Sequence, residues 1–465
     1  MRLNRREFLI STAASGLLLP VAARAQAPPP ASRAFPHGVA SGDPLADRVM
    51  LWTRVTGTGR VADVRWRIAT DSGLANVVSS GSMRTAEARD FTVKVDAGGL
   101  EPGTTYYYSF TAGNEHSPVG RTRTLPAADV ARLRLAVVSC SNYPYGFFNV
   151  YGRIAAQADL DAVLHLGDYM YEFENGRYGD GTAIGRVPQP LGETITLSDY
   201  RLRYATYRSD PDLQEAHRQH PFITVWDDHE LANNAWRDGA QNHQPDTEGD
   251  WPTRRAAAYR AYLEWMPIRE QTGFDPRLYR SFRFGTLADL VMLDARALRD
   301  RQVAPDDLAG LADPQRTLLG AAQEAWCFDE LRASQRSGSA WRLVAQQVLF
   351  ARMTPAGQKV RNADTWDGYQ HARERVLDVI AAERIKDVVI LTGDVHSSWA
   401  MDVPRSPWHN YTARTGEGSL AVELSTPAIS SPPIFADGQG RERAAALKVM
   451  LPHLKFMDGE HRGYV

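Results

Sequence analysis

Four short apolar runs, each ending in a cluster of metal-binding side chains, constrain this chain more than any other feature. They are Leu133 to Asn142 (LRLAVVSCSN), Ala162 to Glu172 (AVLHLGDYMYE), Phe222 to Glu230 (FITVWDDHE) and Asp387 to His396 (DVVILTGDVH). Short continuous apolar runs are the signature of strands buried on both faces, as in a parallel sheet covered by helices. In such sheets the ligand crevice lies beyond the carboxyl ends of the strands, where all four runs place their Cys, Asp, Tyr, Asn and His. The expected architecture is a layered α/β domain that gathers these groups around metal.

At 465 residues and 43% hydrophobic, the chain can bury a large core and has the length of two domains. A formal net charge of −2 gives no basic surplus, so no nucleic-acid partner is indicated. Two cysteines, Cys140 and Cys327, allow at most one disulfide, which excludes a disulfide scaffold. Residues 1–25 read as an export signal, with Arg5-Arg6 near the start, an apolar stretch from Ser15 to Ala23, and Ala23-Arg24-Ala25 as a small-x-small cleavage site. That stretch is shorter than a membrane-spanning helix, so cleavage would leave no stable membrane anchor. Asn4-Arg5-Arg6-Glu7-Phe8-Leu9 resembles the twin-arginine type, making the twin-arginine export machinery an expected partner and the periplasm or exterior the expected location. In so Arg-rich a chain the pair also fits an ordinary secretory signal. Residues 26–34, with Pro28-Pro29-Pro30, form a leader.

Over residues 35–127 short alternating strands are split by turn residues: Val49 to Val55, Val64 to Ala69, Phe91 to Val95 and Tyr106 to Thr111. No helical period intervenes, so an antiparallel β-sandwich is expected. Leu100-Glu101-Pro102-Gly103-Thr104-Thr105-Tyr106 resembles the corner of fibronectin type III domains, with the Tyr106 hydroxyl bonding back across the turn. Over residues 128–465 buried strands alternate with helical stretches, Tyr200 to His217, Arg254 to Trp265 and Tyr369 to Glu383. Asp238 to Thr253, rich in Gly, Asn, Pro and Asp, reads as a long loop near the site.

In Gly167-Asp168-Tyr169-Met170-Tyr171-Glu172 the glycine permits a sharp turn that leaves Asp168 facing the crevice. A carboxylate can bridge two cations, and a tyrosinate three residues on is a hard anionic ligand suited to a trivalent metal. Alone, the motif also fits a capping Asp with two loop aromatics. Asp227-Asp228-His229-Glu230, with Asn233-Asn234 one turn later, sets three acids around one histidine, which repel unless something cationic sits among them. Asp394 and His396 end the fourth run; in extended geometry they point to one side and offer two ligands at once. Cys140 alone would be a buried small hydrophobe, but beside three metal-type strand ends it reads as a thiolate ligand. His165 is expected to be a hydrogen-bonded core residue, His217, His220 and His243 surface groups, and Cys327 a packed helical residue.

The order of Cys, G-D-x-x-Y-E, W-D-D-H-E followed by Asn-Asn, and G-D-V-H resembles the PhoD-type alkaline phosphatases of the metallophosphoesterase superfamily, relatives of the purple acid phosphatases. The likeness extends to Trp265-Met266-Pro267-Ile268-Arg269, Met292-Leu293-Asp294-Ala295-Arg296 and Trp366-Asp367-Gly368-Tyr369. It implies a fibronectin III-like β-sandwich followed by an α/β metallophosphoesterase domain, and a site with Fe(III) and Ca(II). Cys140, Asp168, Tyr171 and His396 would hold iron; Asp168, Asp228, Asp394 and Asn234 would hold calcium. His229 would bind the substrate phosphate as hydrogen-bond donor or general acid, and Asp168 would be catalytic as the bridging ligand. The implied activity is hydrolysis of phosphomonoesters by in-line attack of metal-bound hydroxide; the alternative is a phosphodiesterase or phospholipase using the same site. Members of that family continue with further strand beyond the point where this chain ends, Arg462-Gly463-Tyr464-Val465.

Overall fold

The computed structural model describes residues 33–57, 59–270, 277–355 and 357–465. The signal expected over residues 1–25 and most of the leader lie outside the described residues. All four apolar runs form strands: Leu135–Val138, Ala162–His165, Pro221–Thr224 and Val388–Thr392. The first three lie side by side and parallel at one end of a six-stranded sheet, Val163 sitting opposite Ala136 on one side and Phe222 on the other. The fourth is central in a seven-stranded sheet, parallel to Trp341–Gln346 and Ser419–Ser425. Both-face burial explains the unbroken apolar sequence. Val389 and Leu391 join Val163, Phe222, Met292 and Leu424 in one core, while Val388 and Ile390 turn the other way onto Cys327, Leu331, Val376 and Ile380 of the covering helices. Each such side chain contributes about 1.5–3 kcal/mol over an exposed one, enough to hold the strand ends in fixed register.

The amino-terminal sandwich is not closed on itself. One of its layers is a separate antiparallel sheet containing Val61–Ala69, Val77–Ala86 and Thr105–Ala112. The other layer, Val39–Gly42, Arg48–Arg54 and Thr92–Gly98, continues the six-stranded sheet, with Ser41 paired in parallel to Pro221. The reason is visible in Val49-Met50-Leu51-Trp52-Thr53, buried on both faces where an alternating sandwich strand would expose one. The corner tyrosine behaves as expected, its hydroxyl accepting from Glu101 N–H at 2.8 Å.

The helical stretch expected over Tyr200 to His217 is two helices, Leu197–Tyr207 and Pro211–Gln219. Asp210 caps the second by accepting from Asp212 and Leu213 N–H, and Pro211 starts it because its missing N–H is not needed there. The expected surface positions of His217, His220 and His243 are wrong, because all three are buried. His217 stacks on Phe222 at 3.8 Å and bonds the Tyr169 hydroxyl, His220 meets the Ile154 carbonyl, and His243 meets Glu248. His165 is a core residue bonded to the Tyr151 hydroxyl at 2.8 Å, and Cys327 is packed within Gly320–Ser337. Val137 and Val465 exchange backbone hydrogen bonds of 2.7 and 3.2 Å, so the last residue lies along the edge of the six-stranded sheet. Among the described residues no helix is long and apolar enough to cross a membrane.

Candidate active site

The four strand-end turns meet in one place. Ligand atoms of Cys140, Asp168 and His396 lie within 4.8 Å of one another, as do those of Asp168, Asp228 and His229, and those of Asp227, Asp228 and Asp394. Asp168 belongs to the first two groups and Asp228 to the last two, so the sets form one continuous pocket.

Unusual backbone brings them together. Of the twelve non-glycine residues with positive φ among the described residues, five are Cys140 (64°), Asp168 (55°), Asn234 (53°), Asp394 (60°) and His396 (51°). Each costs about 1 kcal/mol relative to an ordinary conformation, and such strain persists where function requires it. This corrects the extended geometry expected for Asp394 and His396. The strand stops at Thr392, and the two side chains converge because both residues are left-handed around a tight turn, Val395 N–H bonding the Gly393 carbonyl at 2.6 Å. Gly167 (φ 101°) is required because a Cβ there would come within 2.3 Å of Asp227 N. Glu230 ties the same two turns together by accepting from the N–H groups of Asp168, Tyr169 and Asp227 at 3.0, 2.7 and 2.9 Å.

One half of the pocket is built from sulfur, phenol and imidazole. The Tyr171 hydroxyl donates to Asp168 Oδ2 at 3.0 Å, accepts from Ser431 at 2.7 Å and lies 3.3 Å from His396 Nε2. His396 Nδ1 faces the Pro432 carbonyl at 3.1 Å, which assigns the ring proton to Nδ1 and leaves the Nε2 lone pair facing the pocket. Burial, followed by the charge of Asp168, pushes the Cys140 thiol and the Tyr171 phenol well above their ordinary values, so both are protonated without a cation. Burial lowers His396 to about 4, keeping it neutral and able to act as a ligand.

The other half is all oxygen. Asp228 Oδ2 accepts from Asn234 N–H at 2.6 Å, and Asp394 Oδ1 accepts from Arg296 at 2.9 Å. Arg296 also bonds Asp227 and Asp364. The Asn234 amide nitrogen is turned to Gln241 at 2.6 Å, so its backbone, and not that amide group, is what engages Asp228. Asp168 Oδ1, Asp227 Oδ2 and Asp228 Oδ1 are buried with no hydrogen-bond partner. Three orphaned carboxylate oxygens in one pocket suit a cation, since leaving them bare is costly.

His229 sits between the halves and the rim. Its Nδ1 meets Glu172 Oε2 at 2.7 Å, and its ring lies over Tyr171 at 4.1 Å. Burial alone would lower its pKa, but the carboxylates of Glu172, Asp168 and Asp228 outweigh burial and raise it well above the ordinary histidine value. Glu172 is held by Asn233 N–H and the Asn242 amide, the latter from the expected loop over Asp238 to Thr253. Glu172, Arg296 and Asp364 are the site residues that sequence reasoning did not assign. Glu172 closes a motif already singled out, and Arg296 follows the strand Ala288–Met292 just as the ligands follow theirs. Asp364 carries no local signal.

Strands of two sheets delivering acids, histidines, a thiol and a phenol to one crevice define an enzyme of the metallophosphoesterase kind. The chain belongs to the PhoD-like phosphatase family, whose profile matches residues 135–465, with the family's amino-terminal domain matching residues 21–126. It is 39% identical over 461 residues to alkaline phosphatase D of Bacillus subtilis (strain 168), covering 94% of this chain and 76% of that protein. A solved structure of PhoD superposes with a TM-score of 0.84 at 37% identity, over 94% of this chain and 85% of the other. The purple acid phosphatase PPD1 from yellow lupin seeds, at 11% identity and a TM-score of 0.51 over 83% of this chain and 63% of its own, shares the fold. The protein is a phosphatase, and phosphate esters are its substrates.

Proposed function

We propose that this phosphatase is an exported hydrolase of phosphomonoesters with a two-cation site. Cys140, Asp168, Tyr171 and His396 would hold Fe(III), and Asp168, Asp228, Asp394 and Asn234 would hold Ca(II). The observation that carries the reading is Asp168, shared by two ligand groups and buried with one oxygen unpartnered. Thiol, phenol and imidazole suit iron, and an all-oxygen set suits calcium. When bound, the cations supply the positive charge that polarises a phosphoryl group and makes water a competent nucleophile. His229, kept protonated by Glu172, would donate a hydrogen bond to a phosphoryl oxygen or a proton to the leaving alcohol. The Tyr171 ring, tilted against it, and the stacked Tyr178 ring flank the imidazole. Twin-arginine export to the periplasm or medium suits a protein that must load metal while folding.

Diester hydrolysis is a second reading, supported by a cavity of about 330 Å³ beside Asp394 and His396. Leu349, Met353, Arg361 and Ile434 also line it, leaving room for an organic group beyond the phosphate. Comparing kcat/KM for p-nitrophenyl phosphate and its bis(p-nitrophenyl) diester separates the two. The monoester is expected to react faster, and preference for the diester would replace the first reading with the second. A His229→Gln variant should lose about 100-fold or more in kcat in either case. Export is tested by replacing Arg5-Arg6 with Lys-Lys, which should retain the protein in the cytoplasm.

A further inference from the structure

Arg296 is fully buried and its guanidinium spans four carboxylates from three separate segments. Nε bonds Asp227; Nη1 bonds Asp364 at 2.7 Å; Nη2 bonds Asp394 at 2.9 Å and lies 3.7 Å from Asp228. A second buried arginine, Arg299, pairs with the remaining oxygen of Asp364 at 2.7 Å. Four carboxyl groups thus meet only two guanidiniums, so the acids of this half outnumber its built-in cations. The sulfur half has no equivalent: among the described residues, no Arg or Lys forms an ion pair with Asp168.

We propose that Arg296 is a built-in counter-cation of the oxygen half, holding Asp227, Asp228 and Asp394 in place before a divalent cation arrives and setting the deficit that the cation fills. Four carboxylates pressed together without a cation would repel, and a guanidinium in fork geometry offsets that repulsion with a positive charge that cannot be removed by deprotonation. It also shares Asp394 with the incoming ion, so it limits how tightly that ion binds. Arg296 is therefore a positioning residue. The inference rests on the divalent-site reading above, but its test separates the two.

Thermal unfolding and calcium titration are compared for wild type and R296Q, each stripped with EGTA and then reloaded. Breaking a buried ion pair leaves uncompensated charge, so stripped R296Q should melt about 3–6 °C below stripped wild type. Reloaded with calcium, the gap should shrink to less than half. By linkage the folded variant must then bind calcium more tightly, by about tenfold or more, despite having lost a residue beside the site. R296K, which keeps the charge but not the fork, should fall between. Should stripped R296Q not fold, D227N/R296Q removes the arginine together with the acid its Nε pairs with and should regain folding in EGTA. An equal loss of melting temperature with and without calcium, or failure of the double variant to recover, overturns the proposal and leaves Arg296 as ordinary packing. If neither calcium, magnesium, manganese nor zinc raises the melting temperature of wild type, the divalent site itself is wrong and the proposal falls with it.

Discussion

The two halves of the pocket share Asp168 and differ in how they exist without metal. The half around Cys140, Tyr171 and His396 is uncharged on its own, because burial keeps the thiol and phenol protonated and the imidazole neutral. The half around Asp227, Asp228 and Asp394 has its carboxylates organised by the Arg296 guanidinium, although burial still raises Asp227 and Asp394 above the ordinary carboxylate range. A cation entering the first half must displace protons from a thiol and a phenol, whereas one entering the second meets carboxylates already drawn together by a fixed guanidinium. On the proposed two-cation reading, the first half would take a tightly held, proton-releasing metal and the second a more readily exchanged one.

The comparison is broken most severely by removing what joins the halves. Asp168→Asn should lower turnover by about 10³-fold or more while far-ultraviolet circular dichroism stays native, because an amide cannot bridge two cations. Turnover and metal content near those of wild type would show that the halves do not share this residue. The next largest effect should be on loading. Because Cys140 and Tyr171 lie above their ordinary pKa values and must lose protons on binding, metal affinity of the sulfur half should rise with pH, by up to about 100-fold per unit. Asp394, lifted to about 6 by burial, binds a proton below that pH and leaves the oxygen half charged above it. Calcium affinity should therefore fall as pH drops through about 6; titrations with each metal from pH 5 to 9 check both slopes. Glu172→Gln removes the first of the carboxylates that raise His229, so the imidazolium should deprotonate at lower pH. The alkaline limb of kcat should move downward and kcat at high pH should fall about 10–100-fold, an unchanged pH profile counting against the Glu172–His229 pair. Smallest is Tyr169→Phe, which removes a hydroxyl bonded to His217 at 2.9 Å behind the site. It should cost about 1 kcal/mol of stability, read by denaturant unfolding, with kcat unchanged.

The four strands whose ends meet in the pocket were legible because burial on both faces leaves an unmistakable apolar run, and because Cys140, Asp168, Asp228, Asp394 and His396 follow those runs directly. The same criterion applied to Val49-Met50-Leu51-Trp52-Thr53 would have shown that the sandwich shares a sheet with the larger domain, but alternation in neighbouring strands obscured it. What could not be read was conformation and distant pairing. A left-handed turn at Asp394 and His396 looks in sequence like the end of a strand. His217 and His220 lie on or beside a polar helix, and their burial goes with partners distant in sequence, the Phe222 ring stacked on His217 and the Ile154 carbonyl bonded by His220. Arg296 and Asp364 are 68 residues apart, so their role as counter-charges exists only once the chain is folded.

The central claim is that one pocket holds two chemically different cation sites, and metal analysis combined with a visible spectrum tests it most directly. Protein exported by its native host should contain iron and calcium and be coloured, because thiolate and phenolate donate charge into iron(III). EGTA should remove the calcium and the activity while leaving the iron and the colour, and Tyr171→Phe should shift or abolish the visible band. A colourless protein holding zinc in both halves, or a chelator that strips both metals together without regard to half, would contradict the account.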